Sequence, residues 1–202
     1  MKKTLLMTMA AAMTVTTAAS PAVLAAERAA EAVGKKVTIC MAERPDQATD
    51  KAQMVASKLF RSIGVTLDWH AGARFCEAHP VQALVISYSH RTPKDKLPGA
   101  LANALPFEGT HIEIFYDRML GAEGIVRVEY LGHVLAHEIT HMLQYTARHS
   151  NSGLMKAHWD APELAQMKDR GLGFAKLDVD LIYAGLARRA AGASVVAANR
   201  IE

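Results

Sequence analysis

The stretch from about Gly124 to Tyr145 constrains this chain more than any other. Leu131, Val134, Leu135, Ile139, Met142 and Leu143 recur at helical spacing as one apolar stripe. His133, His137, His141 and Gln144 fall on a neighbouring stripe, since residues four apart stand one turn above each other. A helix apolar on one flank and histidine-lined on the next has to be a core helix that also floors a cleft.

The preceding residues supply the layer for its apolar flank. Val37 to Met41 reads as a strand, and Ala48 to Ile63 as an amphipathic helix stopped by Gly64. Val65 to Trp69, the apolar run Ala83 to Tyr88, and His111 to Tyr116 (HIEIFY) read as three further strands. Between the last two lies a loop carrying Pro93, Pro98 and Pro106, long enough to be functional. The order is β-α-β-β-β followed by helices, without repeats or linkers. It predicts one α+β domain over residues 26–202, beginning with a polar, Ala-rich leader (26–35).

Composition excludes several other classes. The 202 residues are 50% hydrophobic with only two cysteines, which is neither a disordered chain nor a small disulfide scaffold. Lys2 and Lys3, an uncharged Leu/Met/Ala/Thr segment, Pro21 and then Ala22–Ala26 read as a signal peptide over residues 1–25. Pro21 and the many Ala and Thr residues argue against the alternative, an uncleaved membrane anchor. Cleavage removes two lysines, so 23 basic residues against 20 acidic ones become 21 − 20 = +1. That charge gives no reason to expect nucleic acid as a partner. The expected location is exported, periplasmic or secreted, with no membrane span left. In an oxidising compartment Cys40 and Cys76 are most simply one disulfide. The alternative, a thiolate capping a metal as a latency switch, lacks a recognisable pro-segment.

The chemistry concentrates in His137-Glu138-Ile139-Thr140-His141, an H-E-x-x-H sequence. Imidazoles at i and i+4 project from one helix face and can share one Zn²⁺. The glutamate beside the first histidine stands next to the metal, where it can accept a proton from bound water. A catalytic zinc commonly takes a third protein ligand. His149 is the best candidate, in a turn-forming stretch (ARHSNSG) eight residues past His141. Its rival Glu163 sits in Asp160-Ala161-Pro162-Glu163, which reads as a helix start whose capping box explains the glutamate without zinc. Met155, six residues past His149, could give the histidines an apolar, polarizable floor. Three imidazoles suit zinc and leave cobalt, nickel and copper open.

This succession of HEITH, His149 and Gly153-Leu154-Met155 resembles the metzincin-like zinc metallopeptidases. The longer run His137 to Trp159 is similar to small exported bacterial proteins classed as peptidases. The pattern departs at Gln144 and Ala147, where metzincins carry a glycine and the third histidine, so the connection to His149 is two residues longer. The resemblance implies a zincin-like fold: a mixed-sheet N-terminal lobe with an active-site helix, and a smaller helical C-terminal lobe. It also implies hydrolysis of peptide or protein substrates on one Zn²⁺ held by His137, His141 and His149. Glu138 would be the general base and Met155 would form the Met turn. His158 and Tyr145 are candidate oxyanion donors, and the HIEIFY strand is a candidate cleft edge. The alternative is a zinc-binding zincin fold without proteolytic activity.

Overall fold

The computed structural model describes residues 35–72, 75, 83–96, 98–108, 110–121 and 123–198, with side chains as far as residue 192. The expected signal peptide, most of the leader, and Cys76 lie outside the described residues.

Five strands form one sheet: β1 (Lys36–Met41), β2 (Thr66–Ala71), β3 (Leu84–Ser89), β4 (Ala102–Ala104) and β5 (His111–Phe115), in the order β2-β1-β3-β5-β4. The first four in that order run parallel, and β4 pairs antiparallel to β5. Parallel neighbours need a crossover. Helix α1 (Gln47–Arg61) provides it between β1 and β2, opening at Asp46, whose carboxylate accepts the Thr49 N–H at 2.8 Å. The helix lays Ala52, Ala56, Leu59 and Phe60 into the core with Ile39, Leu84 and Ile86 of the sheet.

Helix α2 (Val128–Gln144) runs through the middle of the molecule, and 13 of its 17 residues are buried. It then leads to two further helices, α3 (Ala161–Asp169) and α4 (Lys176–Ala198). Close backbone approach fixes α2 from two sides. A Cβ on its Gly132 would sit 2.5 Å from Val55 Cβ of α1, and one on Gly185 of α4 would sit 1.6 Å from the Leu143 carbonyl oxygen. Only glycine permits either contact. The result is a mixed α+β architecture, with a five-stranded sheet lobe and a helical C-terminal part, as the sequence implies.

Two expectations need correction. The sequence reading has HIEIFY as a cleft edge, but β5 is flanked by β3 and β4, and the edge is the short β4. Ala102-Asn103-Ala104 contains no β-branched or aromatic residue, so nothing marks it as a strand in the proline-containing loop. The second concerns the Cys40–Cys76 disulfide. Cys40 is fully buried on β1 and is not free, but no disulfide joins two described residues. Among the described residues, no helix is long and apolar enough to cross a membrane.

Candidate metal centre

The central helix delivers two imidazoles to one place. His137 and His141 are both buried, and their Nε2 atoms lie 3.0 Å apart. Helix α2 ends at Tyr145, which adopts the left-handed conformation (φ 54°, ψ 41°). The chain thereby makes with a tyrosine the reversal that usually calls for glycine, and it folds residues 146–155 back over the helix end. That return brings in His149, exposed, with its ring centroid 5.3 Å from that of His137 and 5.0 Å from that of His141. One ligand atom from each of the three histidines lies within 4.8 Å of the other two.

Hydrogen bonds fix the two buried rings. His137 Nδ1 donates to the Leu154 carbonyl at 2.9 Å, and His141 Nδ1 donates to the Thr146 carbonyl at 2.9 Å. A carbonyl only accepts, so both protons are on Nδ1 and both Nε2 lone pairs face each other. That arrangement can accept a cation between the rings. Imidazoles bound to one tetrahedral zinc place their nitrogens about 3.3 Å apart, close to what the helix presents. Burial is the main reason the His137 imidazolium is disfavoured, with its pKa pushed down to about 3. His141 falls to about 4, again chiefly by burial and partly offset by the Thr146 carbonyl. His149 is lowered for the same leading reason. Neutral imidazoles are the metal-binding form.

The three histidines line one cavity of about 490 Å³ together with Glu138, Val134, Tyr130 and Trp159. Glu138 is half-buried and has no hydrogen-bond or ion-pair partner among the described residues, and burial pushes its pKa up to about 8. Trp159 meets the His137 ring edge to face, with centroids 5.5 Å apart. His158 is exposed on the cavity wall.

The other sequence-predicted residues are placed as follows. Tyr145 is not on the cavity wall; the Arg188 guanidinium lies 5.0 Å from its ring centroid. Met155 is fully buried, directly after the Leu154 carbonyl that holds His137. Glu163 closes the capping box of α3 and pairs with Lys156 at 2.7 Å, the local role its sequence context implies. His133 shares the ligand stripe but stays away from the cluster. It donates from Nδ1 to the Glu129 carbonyl at 2.5 Å and accepts the Leu172 N–H on Nε2 at 3.0 Å. The sequence reading missed Arg148, Ser150 and Asp178, which surround the His149 turn.

No family model matches the chain, and no curated protein matches it significantly. Among solved structures it is similar to archaemetzincin from Methanopyrus kandleri, at 12% identity over 75% of this chain and 95% of that one, with a TM-score of 0.45. Archaemetzincin from Archaeoglobus fulgidus, complexed with malonate, aligns at 12% identity over 72% and 99%, also with a TM-score of 0.45. Myroilysin aligns at 13% identity over 73% and 66%, with a TM-score of 0.37. Likenesses this distant assign no activity, whereas the histidine cluster stands on its own geometry as a potential metal site.

Proposed function

We propose that this chain is an exported protein that binds one zinc ion on His137, His141 and His149. The facing pair of Nε2 atoms carries this reading. Both Nδ1 protons are committed to backbone carbonyls, so two neutral acceptors stand 3.0 Å apart and a cation can satisfy both. Zinc suits a set of three imidazoles that leaves room for an exchangeable fourth ligand.

A second step, peptide hydrolysis, is favoured by the presence of unpartnered Glu138 on the same cavity wall. Bound zinc supplies a Lewis acid that polarises a carbonyl and acidifies water. Glu138 would accept the nucleophile's proton and pass it to the leaving amine. His158 offers a donor to a developing oxyanion. The outer edge of β4 offers backbone groups to an extended peptide.

Zinc content of the purified chain tests the first step. One equivalent per chain, lost on His137→Ala, supports it; no metal after reconstitution overturns it. Incubation with a peptide library tests the second. Cleavage abolished by chelator and by Glu138→Gln, in a variant that still binds zinc, supports a metallopeptidase. No cleavage by zinc-loaded wild type leaves the chain as a zinc-binding module.

A further inference from the structure

Among the described residues, the most buried carboxylate in the C-terminal part is Asp178, in the first turn of α4, with no exposed surface. A buried charge has to be paired, and its partners come from the segment that carries the third histidine. Arg148 reaches it at 2.5 Å, and the Ser150 hydroxyl lies 2.8 Å from each carboxylate oxygen. These are the residues on either side of His149. The same guanidinium donates to the His149 carbonyl at 3.1 Å, so it ties that residue's own backbone to Asp178. From the end of α2, the Gln144 amide donates to the Asp178 carbonyl at 3.2 Å.

The segment also orients the two helical ligands. Thr146 supplies the carbonyl that holds His141, while its hydroxyl accepts the Arg148 N–H at 3.2 Å. Ser150 N–H donates to the Met155 carbonyl at 2.7 Å, next to the Leu154 carbonyl that holds His137. Leu154 N–H in turn donates to Gly173, just before α4. Every imidazole of the cluster therefore takes its position from residues 146–155, and Asp178 is the charge that pins them.

The geometry points to Asp178, acting through Arg148 and Ser150, as the positioning residue of the three-histidine site. Its role is to hold His149 in reach of the other two rings. This inference rests on the zinc-binding reading above, and the test separates the two. Zinc affinity is measured by competition with a chromophoric chelator for wild type, Asp178→Asn, Arg148→Met and Ile182→Val. The last changes a buried residue of the same helix that does not contact the segment through any hydrogen bond. Amide exchange at Ser150 and Leu154 is followed in the metal-free proteins, and the visible spectrum of Co²⁺-loaded protein reports the ligand set.

Loss of an outer partner of this kind costs roughly 10–100-fold in metal affinity. That loss is expected for Asp178→Asn and Arg148→Met, with faster exchange at Ser150 and Leu154 and a changed Co²⁺ spectrum. Ile182→Val should bind zinc as wild type does. Wild-type affinity and spectrum in a folded Asp178→Asn or Arg148→Met protein overturn the inference. If Asp178→Asn does not fold, Arg148→Met decides, because that side chain is 35% exposed. If wild type itself takes no zinc, the metal reading fails and exchange alone judges the clamp. Protection lost in the variants then supports it, and protection kept overturns it.

Discussion

His137 and His141 face each other through Nε2 atoms 3.0 Å apart while each anchors its Nδ1 proton on a carbonyl beyond the helix. The helix alone sets the i,i+4 spacing. The carbonyls of Leu154 and Thr146 decide which nitrogen each ring presents. A site prepared in this way has already paid much of the ordering cost of binding a metal.

Zinc should therefore raise thermal stability. Zinc held at a free concentration 100 times its Kd adds about 2.7 kcal/mol, which for a domain of this size is a rise of roughly 5–10 °C. Differential scanning fluorimetry with zinc against chelator reads this directly. His149 is exposed, so His149→Ala should leave the chelated melting temperature nearly unchanged and remove most of the zinc-induced rise. An undiminished rise would remove His149 from the ligand set.

The metal-free protein should also have a narrow pH range of stability. His137, His141, His149 and His133 all have lowered pKa values, chiefly through burial. The unfolded chain therefore binds more protons at low pH. Their contribution is intact above about 6.5, the ordinary histidine value, and is lost as the pH falls toward 4 and 3. Glu138, raised to about 8, acts oppositely: stability is lost as pH rises from its ordinary value through about 8. Urea denaturation in chelator should show a maximum near pH 6.5. Glu138→Gln should abolish the alkaline decline and leave the acid limb in place; a decline that persists in Glu138→Gln assigns it elsewhere.

What was legible in the sequence was local. The paired histidines and Glu138 are visible because four-residue spacing is a property of one helix, and His149 because turn formers cluster around it. Glu163 was readable as a capping residue for the same reason. Strand β4 carries no propensity signal, so the cleft edge was misplaced by one strand. Asp178 was invisible for a different reason: it meets Arg148 across 30 positions of sequence, and such a pairing exists only once α4 has packed against α2. Tertiary contacts also separated His133 from its stripe, by way of the loop that follows α3.

His133 should thus matter for stability and not for metal. Replacing it by alanine leaves the Leu172 N–H, 3.0 Å from Nε2, buried without an acceptor, at a cost of about 1–3 kcal/mol. Chemical denaturation of His133→Ala should show that loss, with zinc affinity within about twofold of wild type. A large drop in affinity would place His133 in the site after all.

Tyr145 turns the chain with a positive φ that costs a non-glycine residue about 1–2 kcal/mol. β-branched residues tolerate that region least. Tyr145→Val should accordingly add to the strain the tyrosine already bears, destabilise the protein and weaken zinc binding, since the Thr146 carbonyl that orients His141 follows directly. Tyr145→Asn should be the milder change, because asparagine adopts the left-handed region readily. Equal stability of the two variants in urea would show that the turn does not depend on this conformation.

Two glycines of the same helix give opposite expectations, which isolates packing from helix propensity. Alanine is favoured over glycine inside a helix by about 1 kcal/mol. At Gly192 of α4 an added Cβ meets nothing within 4 Å, so Gly192→Ala should stabilise the protein by up to that amount. At Gly185 the same methyl would sit 1.6 Å from the Leu143 carbonyl oxygen, and α4 would have to move off α2. The expected cost is about 1–3 kcal/mol, or a melting temperature several degrees lower. Because α4 also carries Asp178, Gly185→Ala should loosen the His149 segment and lower zinc affinity, whereas Gly192→Ala should not. Thermal melts with and without zinc on the two variants decide it: if Gly185→Ala melts as high as Gly192→Ala, the two helices are not in backbone contact.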